Sequence, residues 1–485
     1  MHRRISTTLN TLRQDLAAKL GCDFIHHACR QAGHSWCDSC LLTPAAIIHW
    51  FLIQVLHGNT ALTHVSLLAG RAFTASAFCQ ARARLPLAVF QTVLRAVVKI
   101  LVPATEVAGL WFGHRVLLID GSSFSMPDVA ALQAYFGQPG NQAKGCGFPV
   151  AHILALFHAG TGLLLEVFAA PLRSHDMAGV GGILPLLKRG DVLVADRGFC
   201  SFAHLALLIC KGVHAVFRLH QKQIVDFTPG RAHARPGQKR APKGMPRSRW
   251  VSACGLMDQV VEYFKPVRCP VWMSADEYRK LPESIMVREL RYRITAPGFR
   301  TREVTLVTTL LDAAAYPADA LAELYGTRWR IEENLKSLKQ TMKMDVLKCM
   351  TVDGVLKELT MYALAYNLVR VTMCQAAGRQ GVEADRVSFI DALRWLRGAE
   401  EGEEMPELVV NPRRPGRYEP RVRKRRPKQY PVMKKPRAEL RKLLRDKDLA
   451  ALPIRNLTCG SVPIFMGRGG GWCVAIDNDI IIMRC

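Results

Sequence analysis

Two apolar runs that each end in an aspartate constrain the fold of this chain more than any other feature. Residues 115–120 are RVLLID and residues 191–196 are DVLVAD. Continuous runs of this kind are typical of strands that are buried on both faces of a sheet. The glycine and serines at 121–123 predict a turn after the first run. A buried carboxylate must be neutralised or paired, so Asp120 and Asp196 are candidate metal ligands or, alternatively, caps of the following turns.

The segments between and after these runs predict a mixed sheet with flanking helices. Residues 158–162 (HAGTG) have the composition of a hairpin loop between two strand-like runs. A helix is predicted near residues 178–188, and Ser201 is a suitable cap for another. The chain order of strand, hairpin, helix, strand, helix and strand indicates an α/β fold. The predicted elements are strands at 150–157, 163–169 and 214–219, and a helix over Phe202–Lys211.

The remaining regions divide the chain by their periodicity. Pro44–Leu56 and residues 86–101 have apolar residues at helical spacing, whereas residues 251–300 contain short strand-like runs. We therefore predict five parts. They are an N-terminal helical region (1–110), a first α/β part (111–220), a β-rich insertion (221–300), a second part with a long helix (301–400) and a basic C-terminal region with a divergent tail (401–485).

The charge of the chain indicates a polyanionic partner. The 485 residues include 66 Lys and Arg against 40 Asp and Glu, a net charge of +26, which favours nucleic acid or an anionic membrane surface. Residues 41–56, the most apolar stretch, carry His49 and Gln54 and fall short of the ~20 residues that a bilayer helix needs. No membrane partner is therefore expected. The N-terminus lacks an apolar signal region, which predicts a cytoplasmic, nucleoid-associated protein.

Two segments hold much of the surplus charge. Residues 221–250 carry eight Lys or Arg against one Asp, and residues 411–450 carry sixteen against four, with six prolines. The second segment is too charged to bury a core, so we expect it to be extended when unbound. The glycines at 467–471 predict a flexible turn, because no strand and helix frame them as a phosphate loop.

The cysteines cluster only near the N-terminus. Cys22, Cys29, Cys37 and Cys40 lie in a region that also holds three histidines. Their spacing matches no common zinc pattern, so the favoured interpretation is small buried residues on helices, with zinc as the alternative.

A long helix predicted over residues 318–344 carries polar groups on one face. Tyr325, Arg328, Glu332 and Lys339 are 3, 4 and 7 residues apart, which at ~100° per residue places them together. An ordinary solvated face explains Glu333, Lys336 and Lys343 but explains the first four less well. Glu332 would complete a metal site with the two aspartates, and Arg328 and Lys339 would hold a phosphate.

The same residues carry a family resemblance. Residues 325–339 (YGTRWRIEENLKSLK) match the Tyr-x2-Arg-x3-Glu-x6-Lys signature of the insertion-sequence-four family of bacterial DDE transposases. Residues 117–128 (LLIDGSSFSMPD) and 192–201 (VLVADRGFCS) resemble the segments around that family's two catalytic aspartates. The resemblance covers about residues 40–440 and leaves out residues 451–485.

The resemblance implies a ribonuclease-H-like catalytic core, formed by residues 111–220 and 301–400, that cuts DNA at terminal inverted repeats and joins the ends to a target. It implies that the helical residues 1–110 are a DNA-binding domain. It implies that Asp120, Asp196 and Glu332 ligate two Mg²⁺ ions, with Mn²⁺ able to substitute, for an in-line displacement at phosphorus. Tyr325, Arg328 and Lys339 would then position the phosphates at the transposon end. The implied partner is double-stranded DNA, bound by a dimer. Further candidate DNA contacts are Arg82, Arg84, Arg197 and Lys336, and for the first two a solvated face is about equally plausible.

Two other functions remain open on the sequence alone. One is a DNA-binding regulator of transposition that has lost catalysis, and the other is a nuclease with the same core that does not join strands. Some members of the resembled family excise through a DNA hairpin, but Trp250 and Trp272 in the insertion match no position that would predict this step.

Overall fold

A computed structural model of the chain describes residues 14–107, 109–140, 143–172, 179–238, 242–294, 303–399, 403–412, 435–446, 473–476 and 479–482. The statements below concern these residues.

Six helices form the N-terminal part and confirm its predicted helical character. The third of them is buried along its whole length, and Thr43 caps it by accepting a hydrogen bond from the backbone N–H of Ala46 at 3.3 Å. Their buried apolar side chains are continuous with those that cover the sheet. The six helices are α1 (Gln14–Leu20), α2 (Cys22–Gln31), α3 (Pro44–Leu56), α4 (Leu62–Ala69), α5 (Ala75–Arg84) and α6 (Leu87–Val107).

One nine-stranded sheet forms the centre of the molecule, with the strand order β3-β2-β1-β4-β5-β9-β8-β7-β6. The pairs β1–β4 and β4–β5 are parallel and all other pairs are antiparallel. The mixed α/β class predicted from the sequence is therefore confirmed. The strands are β1 (Val116–Ser125), β2 (Val150–His158), β3 (Leu164–Pro171), β4 (Val192–Ala195), β5 (His214–Arg218), β6 (Arg249–Gly255), β7 (Asp258–Phe264), β8 (Ser284–Arg293) and β9 (Glu303–Thr308).

Short helices connect the first five strands. Ser201 caps the helix before β5 by accepting from the N–H of His204, and Gly212 ends it in the left-handed conformation, as predicted. The connecting helices are α7 (Ala130–Phe136), α8 (Val180–Ile183) and α9 (Phe202–Lys211), and α10 (Ala275–Lys280) lies between β7 and β8.

The expected turn at residues 121–123 is wrong, because β1 continues through them to Ser125. All three residues pair with β2, from Gly121 beside Leu154 to Ser123 beside His152. The end of β1 is held by backbone hydrogen bonds of Ser125 with Asp345 and Leu347. Cross-strand pairing thus overrides the local turn preference of glycine and serine.

The insertion continues the main sheet. Its strands β6, β7 and β8 are antiparallel neighbours. Strand β8 pairs with β9, which follows the insertion and joins the first five strands by pairing with β5. The predicted β character of this region is confirmed, whereas the predicted domain boundaries at residues 110, 220, 300 and 400 stay predictions.

The expected single helix over residues 318–344 is interrupted. It consists of α11 (Ala318–Gly326), α12 (Trp329–Lys336) and a π-helical turn, Ser337–Thr341. The break lies at Thr327, whose hydroxyl donates to the carbonyl of Leu324 at 2.7 Å and so competes with the regular backbone pattern. Thr327 and Arg328 keep helical dihedrals, so the polar face survives the break.

Two more helices complete the described core. Helix α13 (Val352–Gln380) packs against α3, α6 and β3 and so joins the N-terminal helices to the sheet, and α14 (Phe389–Gly398) packs on α13.

Part of the basic C-terminal segment is a helix, which corrects the expectation that all of it is extended. In α15 (Arg437–Asp446), the Arg437 guanidinium lies 3.1 Å from the Asp128 carboxylate and over the ring of Phe148. This anchor supplies the tertiary contact that composition does not show. A hairpin of β10 (Cys473–Ile476) and β11 (Asp479–Ile482) lies in the tail, and the expected turn at 467–471 is outside the described residues.

Within the described ranges, no single helix is long and apolar enough to cross a membrane. One pair, Ala75–Arg84 with Leu87–Pro103, passes that test by length and composition but is bent by 79°.

We predict that the ion pair between β7 and β8 contributes strongly to the stability of the insertion. Arg288 is fully buried, and its guanidinium makes two hydrogen bonds of 2.7 and 2.5 Å to the Asp258 carboxylate. Asp258→Ala leaves this charge without its partner and is expected to lower the free energy of unfolding in urea by about 3–5 kcal/mol. Glu303→Gln, which breaks the exposed pair with Arg293, is the control and should change it by less than about 1 kcal/mol. Equal effects of the two substitutions would contradict this assignment.

Candidate active site

Asp120 and Asp196 lie side by side, but only Asp196 follows the end of its strand, because β1 continues through Asp120 to Ser125. In the parallel ladder between β1 and β4, Ile119 is paired with Ala195, and Asp120 and Asp196 are the next residues of their strands. Residues 116–119 and 192–195, which precede the two aspartates, are buried, whereas each aspartate is partly exposed. The sheet thus delivers two carboxylates to one edge of the buried core.

The Asp120 carboxyl has an unfavourable environment for its charge. Burial raises its pKa to about 6, and the negative charges of Asp196 and Glu332 also raise it. A 2.8 Å hydrogen bond from the backbone N–H of Gly121 and the positive charge of Arg328 oppose this rise. Asp196 and Glu332 are thus close enough for their charges to act on the Asp120 carboxyl.

Arg328 connects the helix to both sides of the cleft. Its guanidinium donates to the Glu332 carboxylate at 2.8 Å and lies 3.6 Å from that of Asp120. The Arg328 side chain is only 16% exposed, so these interactions are weakly screened by water. Arg328 therefore neutralises part of the negative charge that the sheet and α12 bring together.

The side chains of Tyr325 and Lys339 also lie near the two aspartates. The buried Tyr325 hydroxyl lies 3.4 Å from the Asp196 carboxylate, and burial raises its pKa well above the usual range, so it stays protonated. The Lys339 ammonium donates to the Ser122 hydroxyl at 3.0 Å, two residues beyond Asp120 on the same face of β1. Burial lowers the pKa of Lys339. The structure thus brings together all six residues of the predicted site.

The donor chemistry of this cleft fits a hard divalent cation. Carboxylate oxygens are ligands that Mg²⁺ and Mn²⁺ prefer, and a cation beside Asp120 would offset the cost of its burial. Among the residues that the structure describes, no three Asp, Glu, His or Cys side chains are close enough to form a ready metal-binding group. The Arg328 guanidinium, placed between Asp120 and Glu332, accounts for part of this spacing.

The four further candidate DNA contacts differ in their exposure. Arg82 is buried, donates to Gln54 at 2.8 Å and lies over the ring of Phe51, so the expectation that it contacts phosphate is corrected. It serves the packing between α3 and α5. The other three remain candidates, because Arg84, Arg197 and Lys336 are exposed.

The cysteine cluster does not form a zinc site among the described residues. The favoured alternative, burial on helices, is right for Cys29 in α2. It is wrong for Cys22, which is exposed at the start of α2, and for Cys37 and Cys40, which are exposed in a turn.

A second polar network holds the helix that carries Glu332, and no sequence motif predicts it. Arg330 on α12 pairs with Asp385 at 3.1 Å and donates to the carbonyl of Ala159 in the β2–β3 loop. Asp385 is also bound at 2.8 Å by Arg370, whose Nε donates to the carbonyl of Thr161 in the same loop. The network therefore ties α12 to the sheet on the side away from Arg328.

Glycine is required where this network meets the loop. Gly162 has a φ of +68°, and a Cβ there would collide with the Arg370 guanidinium. The close approach lets the arginine reach the loop carbonyls.

A cavity of about 770 Å³ lies between the start of α9 and the insertion. Cys200 and Ser201 line one side, and Lys222, Lys243 and Arg247 from the insertion line the other. The three basic side chains are exposed, which suits an anionic ligand.

Comparison with known proteins identifies the class. The family model described as "Transposase DDE domain" matches residues 111–368, more than half of the chain. These residues contain Asp120, Asp196 and the helix with Glu332. The chain therefore belongs to the DDE transposases.

The relatives agree with this class. The transposase InsG for insertion sequence element IS4, from Escherichia coli K12, is 24% identical over 419 residues, which cover 81% of this chain and 88% of InsG. InsZ of the same organism, which also carries a transposase name, is 25% identical over 205 residues, covering 41% of this chain and 68% of InsZ. The resemblance to the insertion-sequence-four family is thus confirmed.

A solved structure of piggyBac transposase, in a synaptic complex with hairpin DNA, aligns over 80% of this chain and 79% of its own with a TM-score of 0.43 and 11% identity. A TM-score this low does not establish a shared fold. The family match is sufficient to define an enzyme that cuts and joins DNA and that uses a divalent metal ion.

We predict that Arg330 positions Glu332 for DNA cutting. Arg330→Gln frees α12 from Asp385 and Ala159 but leaves the buried Arg370–Asp385 pair intact. We expect kcat for cleavage of a duplex bearing the element's end to fall by about tenfold to a hundredfold, because a displaced catalytic group costs that much. The KM should stay unchanged, and Arg330→Lys should restore part of the rate.

The control for this prediction is Arg379→Gln, which removes a more exposed pair with Glu404. It should leave kcat unchanged. If Arg330→Gln lowered the unfolding temperature but left kcat at 25 °C normal, the role of Arg330 would be structural only.

We also predict different roles for the neighbouring Arg82 and Arg84. Arg84→Ala should lower the slope of log affinity against log salt for duplex DNA by about 1, because one phosphate contact is lost. Arg82→Ala should leave the slope unchanged but destabilise the fold by about 1–3 kcal/mol, since Gln54 loses its buried partner. The different roles would be contradicted if filter binding showed a changed salt slope for Arg82→Ala and urea unfolding showed a destabilised fold for Arg84→Ala.

Proposed function

We propose that Asp120, Asp196 and Glu332 are the catalytic carboxylates of this transposase, in a core of ribonuclease-H-like topology. The observation that carries the proposal is their convergence on one cleft around Arg328. The strand order β3-β2-β1-β4-β5, with the aspartates on the two adjacent parallel strands, supports the topology.

The three carboxylates are suited to hold two Mg²⁺ ions, for which Mn²⁺ can substitute. When bound, these ions would supply Lewis acidity to activate water or a 3′-hydroxyl and to stabilise the leaving oxygen. The rigid β1–β4 ladder fixes the two aspartates, and α12 brings Glu332 from the opposite side.

Arg328 and Lys339 are proposed to bind the phosphate that is cut. The Arg328 guanidinium is already oriented by Glu332 and has donors that match a phosphate bidentately. A cation bound at Asp120 would neutralise that carboxylate. Arg328 could then pair with the phosphate instead of Asp120, and no charge would be left unpaired. The protonated Tyr325 hydroxyl orients Asp196 by donating to it.

The remaining basic residues supply a largely sequence-independent grip on DNA. Lys222, Lys243 and Arg247 of the insertion line the cavity next to α9, and Arg437 anchors the basic helix α15 to Asp128. We propose that these surfaces hold double-stranded DNA, at the terminal inverted repeats of the element and at the target, with a salt-dependent affinity. Because two ends must be cut together, the enzyme acts as a DNA-bound dimer, and its place in the cell is the cytoplasm at the nucleoid.

The test is cleavage by carboxamide variants. Asp120→Asn, Asp196→Asn and Glu332→Gln should each reduce Mg²⁺-dependent cleavage of an end-bearing duplex by at least about a thousandfold, because each removes a charged ligand worth several kcal/mol. Binding of the duplex in a gel shift should be retained.

Glu333→Gln is the matched control, since Glu333 is the next residue on α12 and is exposed. It should cut at the parental rate. Parental cutting by any of the three variants would contradict the assignment.

A joining assay separates this proposal from its alternatives. The parent chain should insert a pre-cut end with a free 3′-hydroxyl into target DNA. A nuclease would cut without joining, and an inactive regulator would bind and do neither.

A further inference from the structure

Cys37 and Cys40 form a dithiol turn outside the cleft described above. The backbone N–H of Cys40 donates to the carbonyl of Cys37 at 3.1 Å, which closes the turn. Both thiols are exposed, and the Cys37 sulfur lies 3.0 Å from the Ser39 hydroxyl. A β-turn holds its first and fourth Cα atoms within about 7 Å, and a disulfide needs about 4.4–6.8 Å. The turn thus permits a bond between the two sulfurs.

The surroundings of the turn favour a reactive thiolate. Cys37 and Cys40 line a cavity of about 460 Å³ together with His34 and Arg84. Burial and the positive charges of Arg84 and Lys357 lower the pKa of His34, which favours its neutral form. Reactive cysteines occur in such partly exposed, electropositive sites.

The contact between the Cys37 sulfur and the Ser39 hydroxyl identifies Cys37 as the attacking thiol, because a hydrogen bond to the sulfur stabilises its thiolate. Hydrogen bonds from Ser39 and Cys40 lower the pKa of Cys37, whereas the neighbouring Cys37 raises the pKa of Cys40. By contrast, burial raises the pKa of Cys29 to about 11, as expected for an inert thiol.

We propose that Cys37 and Cys40 are a thiol–disulfide exchange site that accepts a low-molecular-weight disulfide in the adjoining cavity. Cys37 attacks as thiolate on one sulfur of the small disulfide, forms a mixed disulfide and releases one small thiolate. Cys40 then loses its proton to His34 or water and attacks the Cys37 sulfur, which releases the second small thiolate. The chain's dithiol loses two electrons, and the small disulfide gains them and becomes two thiols.

The test uses the reduced, full-length chain with glutathione disulfide as the probe. Samples quenched with an alkylating agent and digested are analysed by mass spectrometry. The peptide with Cys37 and Cys40 should lose two hydrogens at least about tenfold faster than the exposed thiols Cys79, Cys210 and Cys254 acquire glutathione.

Single substitutions separate the two steps. Cys40→Ser should accumulate a glutathione adduct on Cys37, because the resolving thiol is absent. Cys37→Ser should react at Cys40 only at the rate of the three control thiols, and Ser39→Ala should slow the parent reaction.

Two outcomes would overturn the proposal. One is a rate at Cys37 no higher than that of the control thiols. The other is a stable glutathione adduct in the parent chain without a bond between Cys37 and Cys40. Neither outcome bears on DNA cutting, because the carboxylate cleft contains neither cysteine.

Discussion

The parallel pairing of β1 with β4 is the constraint on which the site depends. Residues 116–119 and 192–195 are at most 2% exposed, so both faces of this ladder are packed. Because side chains alternate along a strand, a shift of β4 by one residue would turn Asp196 to the opposite face of the sheet. Packing of the ladder therefore fixes the register, and the register places Asp196 beside Asp120.

This arrangement has an energetic cost that the function explains. A rise in the pKa of Asp120 from an ordinary 3.8 to about 6 corresponds to about 3 kcal/mol against its ionised form. Arg328 offsets part of this cost by contacting Asp120 and Glu332 together. Active sites commonly keep such unfavourable groups, and here a bound cation would remove the remainder.

Local sequence signals predicted the parts of the fold that depend on local pattern. The buried runs before Asp120 and Asp196, the capped helix after Ser201 and the spacing from Tyr325 to Lys339 are all visible in the chain. The resemblance then connected three segments that are far apart in sequence, and the structure places their polar residues in one cleft.

The features that sequence missed all depend on distant contacts. The extension of β1 requires pairing with β2, and the burial of Arg82 requires Gln54 and Phe51 from another helix. The Arg330–Asp385 pair joins residues 55 positions apart, with no motif around Asp385 to reveal it. Such contacts are set by tertiary packing, which a single sequence does not encode in any short window.

The central claim is that the β1–β4 ladder and α12 deliver three carboxylates to one divalent cation site. Iron-directed cleavage of the polypeptide tests it without relying on DNA cutting. Fe²⁺ substituted for Mg²⁺, with ascorbate and peroxide, generates hydroxyl radicals that cut the backbone beside the bound metal. The account predicts cuts near residues 120, 196 and 332 that excess Mg²⁺ suppresses. Cuts at only one of these positions, or cuts elsewhere that Mg²⁺ suppresses equally, would contradict it.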